Sequence, residues 1–288
     1  MLNNVRCSTS SAPLTFLSDH PALEVLHLDI SLHIGSFSSP NSLPQGSLPN
    51  LREVKSSKEV INAILECPCD GPRPLRTLKG FKLSGQTTTS SNSSRSVSDS
   101  VFLSNLKHQA TLHKVELSGW HDMEDIRKLV PSIPNVQHLA LGKRIGTIGR
   151  RVPGGSSGPS ANIIEWIDLL STLPDLSTLH GVKFFYDVPT ESPPRSNDHS
   201  VGSSFSNSSF EISLIRYVSQ PMQMSMMERS RMRKNDEVAG VLAWKCGKLR
   251  WVDHWEDGSG KMIHLVRDNH CGEEGKDKVR WEVKRLKR

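Results

Sequence analysis

The sequence predicts an α/β fold: an irregular leucine-rich-repeat solenoid with parallel strands on its concave face, helices outside, and a C-terminal antiparallel β-hairpin as its cap. Three observations predict it. A short leucine-spaced pattern recurs along the chain, most copies follow a Pro, Gly or polar break, and helix-period segments lie upstream of several breaks.

The pattern is a Leu or Val, two residues, an apolar residue, and often a second apolar residue two further on. It reads LEVLHL from Leu23, LREV from Leu51, LRTLKGFKL from Leu75, LHKVEL from Leu112, VQHLAL from Val136, LSTL from Leu176 and LRWV from Leu249. Residues two apart on a strand share a side, so each copy turns an apolar pair towards a core that no single unit can close alone. The breaks are His20-Pro21, Leu48-Pro49, Arg73-Pro74, Ile133-Pro134, Leu173-Pro174 and Cys246-Gly247. The helix-period segments are Lys58 to Glu66, Met123 to Ile133, Asn162 to Leu173 and Val238 to Cys246.

Successive copies start 28, 24, 37, 24, 40 and 73 residues apart. The short spacings suit repeats of about 20 to 29 residues, and the long ones require insertions. Composition shifts mark these at 84–100, 142–160 and 189–209, each rich in Ser with Thr, Gly or Pro and expected to be disordered. Phe210 to Leu214 reads as a degenerate further copy. Towards the C-terminus, Leu249 to Trp255, Lys261 to Asp268 and Lys278 to Val283 alternate apolar and polar residues, as an antiparallel meander does. The expected organisation is an N-terminal tail at 1–15, the repeats at 16–255 and the cap at 256–288. The alternative is an ordinary α/β sheet whose parallel strands happen to be Leu-rich.

Only 35% of the 288 residues are hydrophobic and 6% aromatic, so the folded part is expected to be smaller than the chain. The net charge of +6 is concentrated at Glu228 to Lys234 and Lys276 to Arg288 rather than in a stripe, which argues against a nucleic-acid partner. No signal-peptide core opens the chain and no long apolar run occurs, so the expectation is a soluble protein of the cytoplasm or nucleus with no membrane partner. The five cysteines, Cys7, Cys67, Cys69, Cys246 and Cys271, are dispersed and expected to be reduced. The sequons at Asn92 and Asn207 are then chance matches.

No motif supports catalysis, a metal or a cofactor. Gly154 to Gly158 spells G-x-S-x-G, but Pro153 and Pro159 flank it where a nucleophile elbow needs a strand and a helix. Gly258-Ser259-Gly260-Lys261 resembles the end of a phosphate loop, yet Trp255 stands where its first Gly belongs and Met262 follows the Lys. Asp253, Trp255 and Asp257 begin a calcium-loop spacing with a Trp at a ligand position and His264 in place of the bidentate Glu. Cys67-Pro68-Cys69 has no second pair at zinc spacing. The Met-rich stretch Met222 to Met232 reads either as an adaptable partner-binding helix or as a helix resting on its own repeat.

Binding chemistry is expected between the inward apolar pairs. This places Val25, His27 and Asp29, Glu53 and Lys55, Thr77 and Lys79 on one concave face, followed by Lys114, Glu116 and Ser118, His138 and Ala140, and Thr178 and His180. Trp251, Asp253 and Trp255 continue it; two Trp residues around a carboxylate suit a protein hot spot, and the alternative is that they pack under the terminal hairpin. Mixed charge signs favour a protein partner over a polyanion.

The block PSIPNVQHLAL from Pro131, the segment LSTLPDLSTLHGVKF and the stretch RKNDEVAGVLAWKCGKLRWVDHWEDGSGKMIHLVR together resemble fungal F-box/leucine-rich-repeat-like proteins. The resemblance implies substrate recognition for a ubiquitin ligase. About 15 residues precede the repeat region, too few for an F-box, so an adaptor partner is implied only if an F-box is encoded upstream. The functional expectation is a non-catalytic protein-recognition module, with a stand-alone scaffold as the alternative and a small α/β enzyme as the least favoured one.

Overall fold

In the computed structural model the described residues are 17, 19–28, 43–69, 71–83, 99–145, 162–187, 225–253, 261–268 and 278–285. Their strands are β1 (Val25–His27), β2 (Glu53–Lys55), β3 (Thr77–Lys82), β4 (Lys114–Trp120), β5 (His138–Ala140), β6 (Lys143–Arg144), β7 (Thr178–His180), β8 (Trp251–Asp253), β9 (Lys261–Asp268) and β10 (Lys278–Arg285). The helices are α1 (Lys58–Glu66), α2 (Asp99–Lys107), α3 (Met123–Leu129), α4 (Ile163–Leu170) and α5 (Met226–Lys245), with a 3-10 turn at Val130–Ser132.

All ten strands join one sheet in the order β1-β2-β3-β4-β5-β7-β8-β9-β10, with β6 paired to β4. Pairing is parallel from β1 to β8 and antiparallel from β8 through β9 to β10. The sequence pattern explains the parallel part. The leading residues Leu51, Leu75, Leu112, Val136, Leu176 and Leu249 are buried, and so is the row Leu26, Val54, Leu78, Val115, Leu139, Leu179 and Val252 in successive register. Each strand also enters alike. The carbonyls of Glu24, Arg52, Arg76, His113, Gln137 and Ser177 each accept two successive N–H groups from the next segment, beginning with Arg52 and Glu53 on Glu24.

Helices cover the face that this buried row presents. Val60, Ile61 and Ile64 of α1, Phe102 and Leu106 of α2, Ile126 and Leu129 of α3, Trp166 and Leu170 of α4, and Leu242 of α5 join the same core. Their starts follow local chemistry. Asp122 accepts the N–H groups of Glu124 and Asp125 at α3, and Ser225 and Glu228 form a reciprocal capping box at α5. Trp120, Trp166 and Phe184 pack edge to face, with ring centroids 6.0 Å apart at each step.

Two glycines permit departures from regularity. Gly80, at φ +86°, lies where the β3–β4 register shifts, a conformation that favours glycine. A Cβ on Gly142 would stand 2.4 Å from the Ser118 carbonyl carbon, and the Gly142 carbonyl accepts the Trp120 indole N–H at 3.0 Å.

The expected leucine-rich-repeat solenoid is overturned. The sheet is mixed and is neither curled nor closed, and the helices are dispersed behind it. A curved stack needs a constant small rotation per repeat. Here the helices run 9, 9, 7, 8 and 20 residues, none is described between β1 and β2, and the antiparallel strands continue the same sheet. Without curvature there is no concave face, and the hairpin read as a cap is the sheet's far end. The architecture is nearer the alternative of an open α/β sheet with Leu-rich parallel strands. The terms leucine-rich repeat and F-box-like fall with the solenoid, and ubiquitin-ligase substrate recognition loses the support the topology was expected to give.

Element boundaries also differ. The stretch 84–100 runs into α2 at Asp99, and 142–160 includes β6. α5 begins twelve residues before Val238, at Met226. Phe210 to Leu214, Gly154 to Gly158, Cys7, Cys271 and both sequons lie outside the described residues. Cys67 and Cys246 are in no disulfide, and burial, opposed by the Arg267 charge, pushes the Cys246 thiol up to about 11. No helix among the described residues is long and apolar enough to cross a membrane.

Candidate functional site

The sheet face opposite the helices carries two register rows of side chains. Val25, Glu53, Thr77, Lys114, His138, Thr178 and Trp251 form one, and His27, Lys55, Lys79, Glu116, Ala140 and His180 form the other, with the backbone of Asp253 next in register. The parity of each strand puts them there, since the residue between the two rows is the buried apolar one. Asp29 and Trp255 lie outside the described residues, so the expected Trp–Asp–Trp group is represented by Trp251 and the backbone position of Asp253.

Three regions differ along this face. At β1 to β3, Glu53 accepts hydrogen bonds from His27 Nε2 and Lys79 Nζ, each 2.7 Å from its Oε1. Burial raises the carboxyl's pKa, but the hydrogen bonds and charges of Lys79 and His27 outweigh it and hold it below its ordinary value.

At β4, β5 and β7, His138 lies beside Lys114 and Thr178, while Ala140 lies beside Glu116 and His180. His138 is exposed at its edge, yet partial desolvation against the sheet, then the charges of Lys114 and His180, hold its pKa below the ordinary value. Ala140 and Thr178 are buried, at 5% and 6% exposure, and form a low point between longer side chains. Ser118 lies further along β4, its hydroxyl 2.8 Å from the Gly80 carbonyl and 3.1 Å from that of Phe81.

At the antiparallel end, Trp251 stacks on His264 with ring centroids 4.1 Å apart, and Lys284 Nζ lies 5.2 Å from the Trp251 centroid. The hairpin thus takes up one face of Trp251, as the alternative reading of that residue held. Burial, followed by the Lys284 charge, lowers the His264 pKa, and Glu282 only partly opposes them. Sequence reasoning missed His264 and Lys284 as parts of this face. Their alternation in β9 and β10 was visible, but the register Trp251↔His264↔Glu282 was not.

The opposite side has its own surface. A cavity of 360 Å³ opens between α4 and α5, lined by Ile163, Phe184, Tyr186, Lys234, Val238 and Val241 among others. Nearby in sequence, Ile164 and Trp244 are 70% and 77% exposed. Met226 and Met227, in the Met-rich stretch, are 84% and 66% exposed and do not rest on the core. Among the described residues no group of three or more His, Cys, Asp or Glu side chains is placed to hold a metal ion. Cys67 and Cys69 instead face the carbonyls of Pro44 and Ser47, at 3.1 and 3.7 Å.

No family model matches the chain, and neither a curated protein nor a solved structure matches it.

Proposed function

We propose that the chain is a non-catalytic protein-recognition module that binds its partner through the helix-free face of the sheet. One observation carries the reading: two adjacent rows of polar, charged and aromatic side chains run in continuous register across the six parallel pairings that join seven strands from β1 to β8, and no described element covers them. A rigid sheet supplies such side chains with fixed spacing at little entropic cost on binding. Alternating signs, from Glu53 and Lys79 to Lys114 and Glu116 and on to Trp251, suit a surface that selects a partner by charge pattern and anchors it on an aromatic ring.

Site-specific photo-crosslinking tests this. A photoreactive residue placed at Lys55, Lys79 or Lys114 is expected to give discrete protein adducts in cells, whereas one at Lys128 or Asp168 on the helical side is not. The double charge reversal Glu53→Lys with Lys79→Glu should abolish the adducts while circular dichroism stays native. Adducts confined to the helical side would sink the proposal.

A further inference from the structure

We infer that the middle of this face seats an acidic segment of the partner protein, with a carboxylate lying over Ala140 between His138 and His180 and against Lys114. The inference rests on the reading of the face as a protein-binding surface and names the chemistry it recognises.

The geometry comes first. Ala140 occupies the second row between Glu116 and His180, and Thr178 occupies the first row between His138 and Trp251. Both are small and buried, so the longer side chains around them bound a low point in the face, a depression over Ala140 and Thr178. The walls are cationic or can become so: Lys114 on β4, His138 on β5 and His180 on β7.

Charge decides the occupant. At β2 and β3 the carboxylate of Glu53 is already taken by Lys79 and His27, so that corner offers little to an anion. The side chains of Lys114 and His138, by contrast, make no hydrogen bond or ion pair among the described residues, and they stand side by side in register. The groups facing His138 are Lys114 and Glu116 on β4 and His180 on β7, with Asp253 one register step beyond His180 on β8. With both imidazoles neutral, Lys114 and Glu116 balance. With both protonated, the depression carries a net positive charge that an incoming carboxylate offsets.

This couples binding to protons. In the free protein desolvation and the like charges of Lys114 and His180 disfavour the His138 imidazolium. A bound carboxylate reverses that balance and raises the imidazole pKa, so binding takes up protons. Affinity must then rise as pH falls through the ordinary imidazole range.

The test uses the whole chain and a fluorescein-labelled ten-residue peptide of alternating Glu and Ser, with a Lys/Ser peptide as control. Fluorescence anisotropy should show saturable binding of the acidic peptide that is about tenfold tighter at pH 5.5 than at pH 8, the size of a one-unit pKa rise. His138→Gln with His180→Gln leaves the charge at pH 8 unchanged and should flatten that dependence. Lys114→Ala should weaken binding at both pH values, while Lys128→Ala, on the helical side, should not. In NMR titrations the peptide should raise the pKa of His138 and leave His264 unmoved. Absent binding at pH 5.5, or a pH dependence that survives in the double variant, overturns the inference. If the peptide fails while face-specific crosslinks persist, the acidic seat falls and the recognition face stands. If the crosslinks fail as well, both fall.

Discussion

From β1 to β8 most strands pair over only three residues, whereas β9 and β10 pair over eight. The short strands are held from beneath by the buried row that includes Leu78, Leu139 and Leu179. The long hairpin contributes Met262 and Leu265 to the buried set but is also tied by polar side chains. Arg267 reaches the carbonyls of Leu249 and Cys246 at 3.0 Å, and the Trp281 indole donates to Asp236 at 2.8 Å. The difference separates fold from face. In the parallel part the buried row carries most of the packing, and the proposal assigns the helix-free side chains to recognition. In the antiparallel end Trp251 stacks on His264 beside Lys284, so side chains of that face pack on one another as well.

The sharpest way to break this comparison is to remove part of the buried row. Leu139 is fully buried, and Leu139→Ala is expected to cost about 3 kcal/mol through lost transfer energy and the cavity left behind. Urea denaturation followed by tryptophan fluorescence measures it, and the midpoint should fall in a single transition that includes the hairpin. A cost below about 1 kcal/mol would mean that this row is not what holds the short strands.

Arg267 offers the complementary perturbation. Its guanidinium spans the C-terminal end of α5 and the start of β8, reaching the Ala243 carbonyl at 3.4 Å in addition to the two closer ones. Arg267→Ala strands those carbonyls and is expected to cost about 2 kcal/mol. Hydrogen exchange read by mass spectrometry should show the loss at the end of α5 and in β8 and β9, with β2 to β5 still protected. Uniform loss of protection would show that the two ends are a single cooperative unit.

The same contrast explains what was legible in the sequence. The LxxL spacing located the parallel strands because period-two alternation over a buried face is written in adjacent residues, and Lys58 to Glu66 emerged as α1 with the expected bounds. α2 was hidden: Phe102, Leu103 and Leu106 are helically spaced, but the preceding Ser-rich run masked the signal. Curvature was misread because it depends on the rotation between units, which unequal connections of 24 to 73 residues between pattern starts do not fix. At the candidate site the two rows followed from alternation alone. The His27–Glu53–Lys79 bridge and the Trp251–His264 stack did not, since they depend on which strands become neighbours and in what register.

Titration gives the smallest effect and the finest distinction between the two ends. Glu53 has a depressed pKa in the folded protein, so its contribution is present above the unfolded value of about 4.3 and is lost as pH falls through the folded one. His264 is also depressed, from an ordinary 6.5, but for an imidazole this favours the neutral form. The unfolded chain therefore takes up the proton first, and stability at the antiparallel end declines as pH falls below 6.5 towards the folded value. Between pH 8 and pH 5.5 the hairpin should lose exchange protection while β1 to β3 keep theirs, and the parallel corner should follow only in stronger acid. His264→Gln should remove the first step and leave the second. If β1 to β3 loosen first, the Glu53 bridge is weaker than its two 2.7 Å contacts imply, and the division between a core-held part and a side-chain-held end must be redrawn.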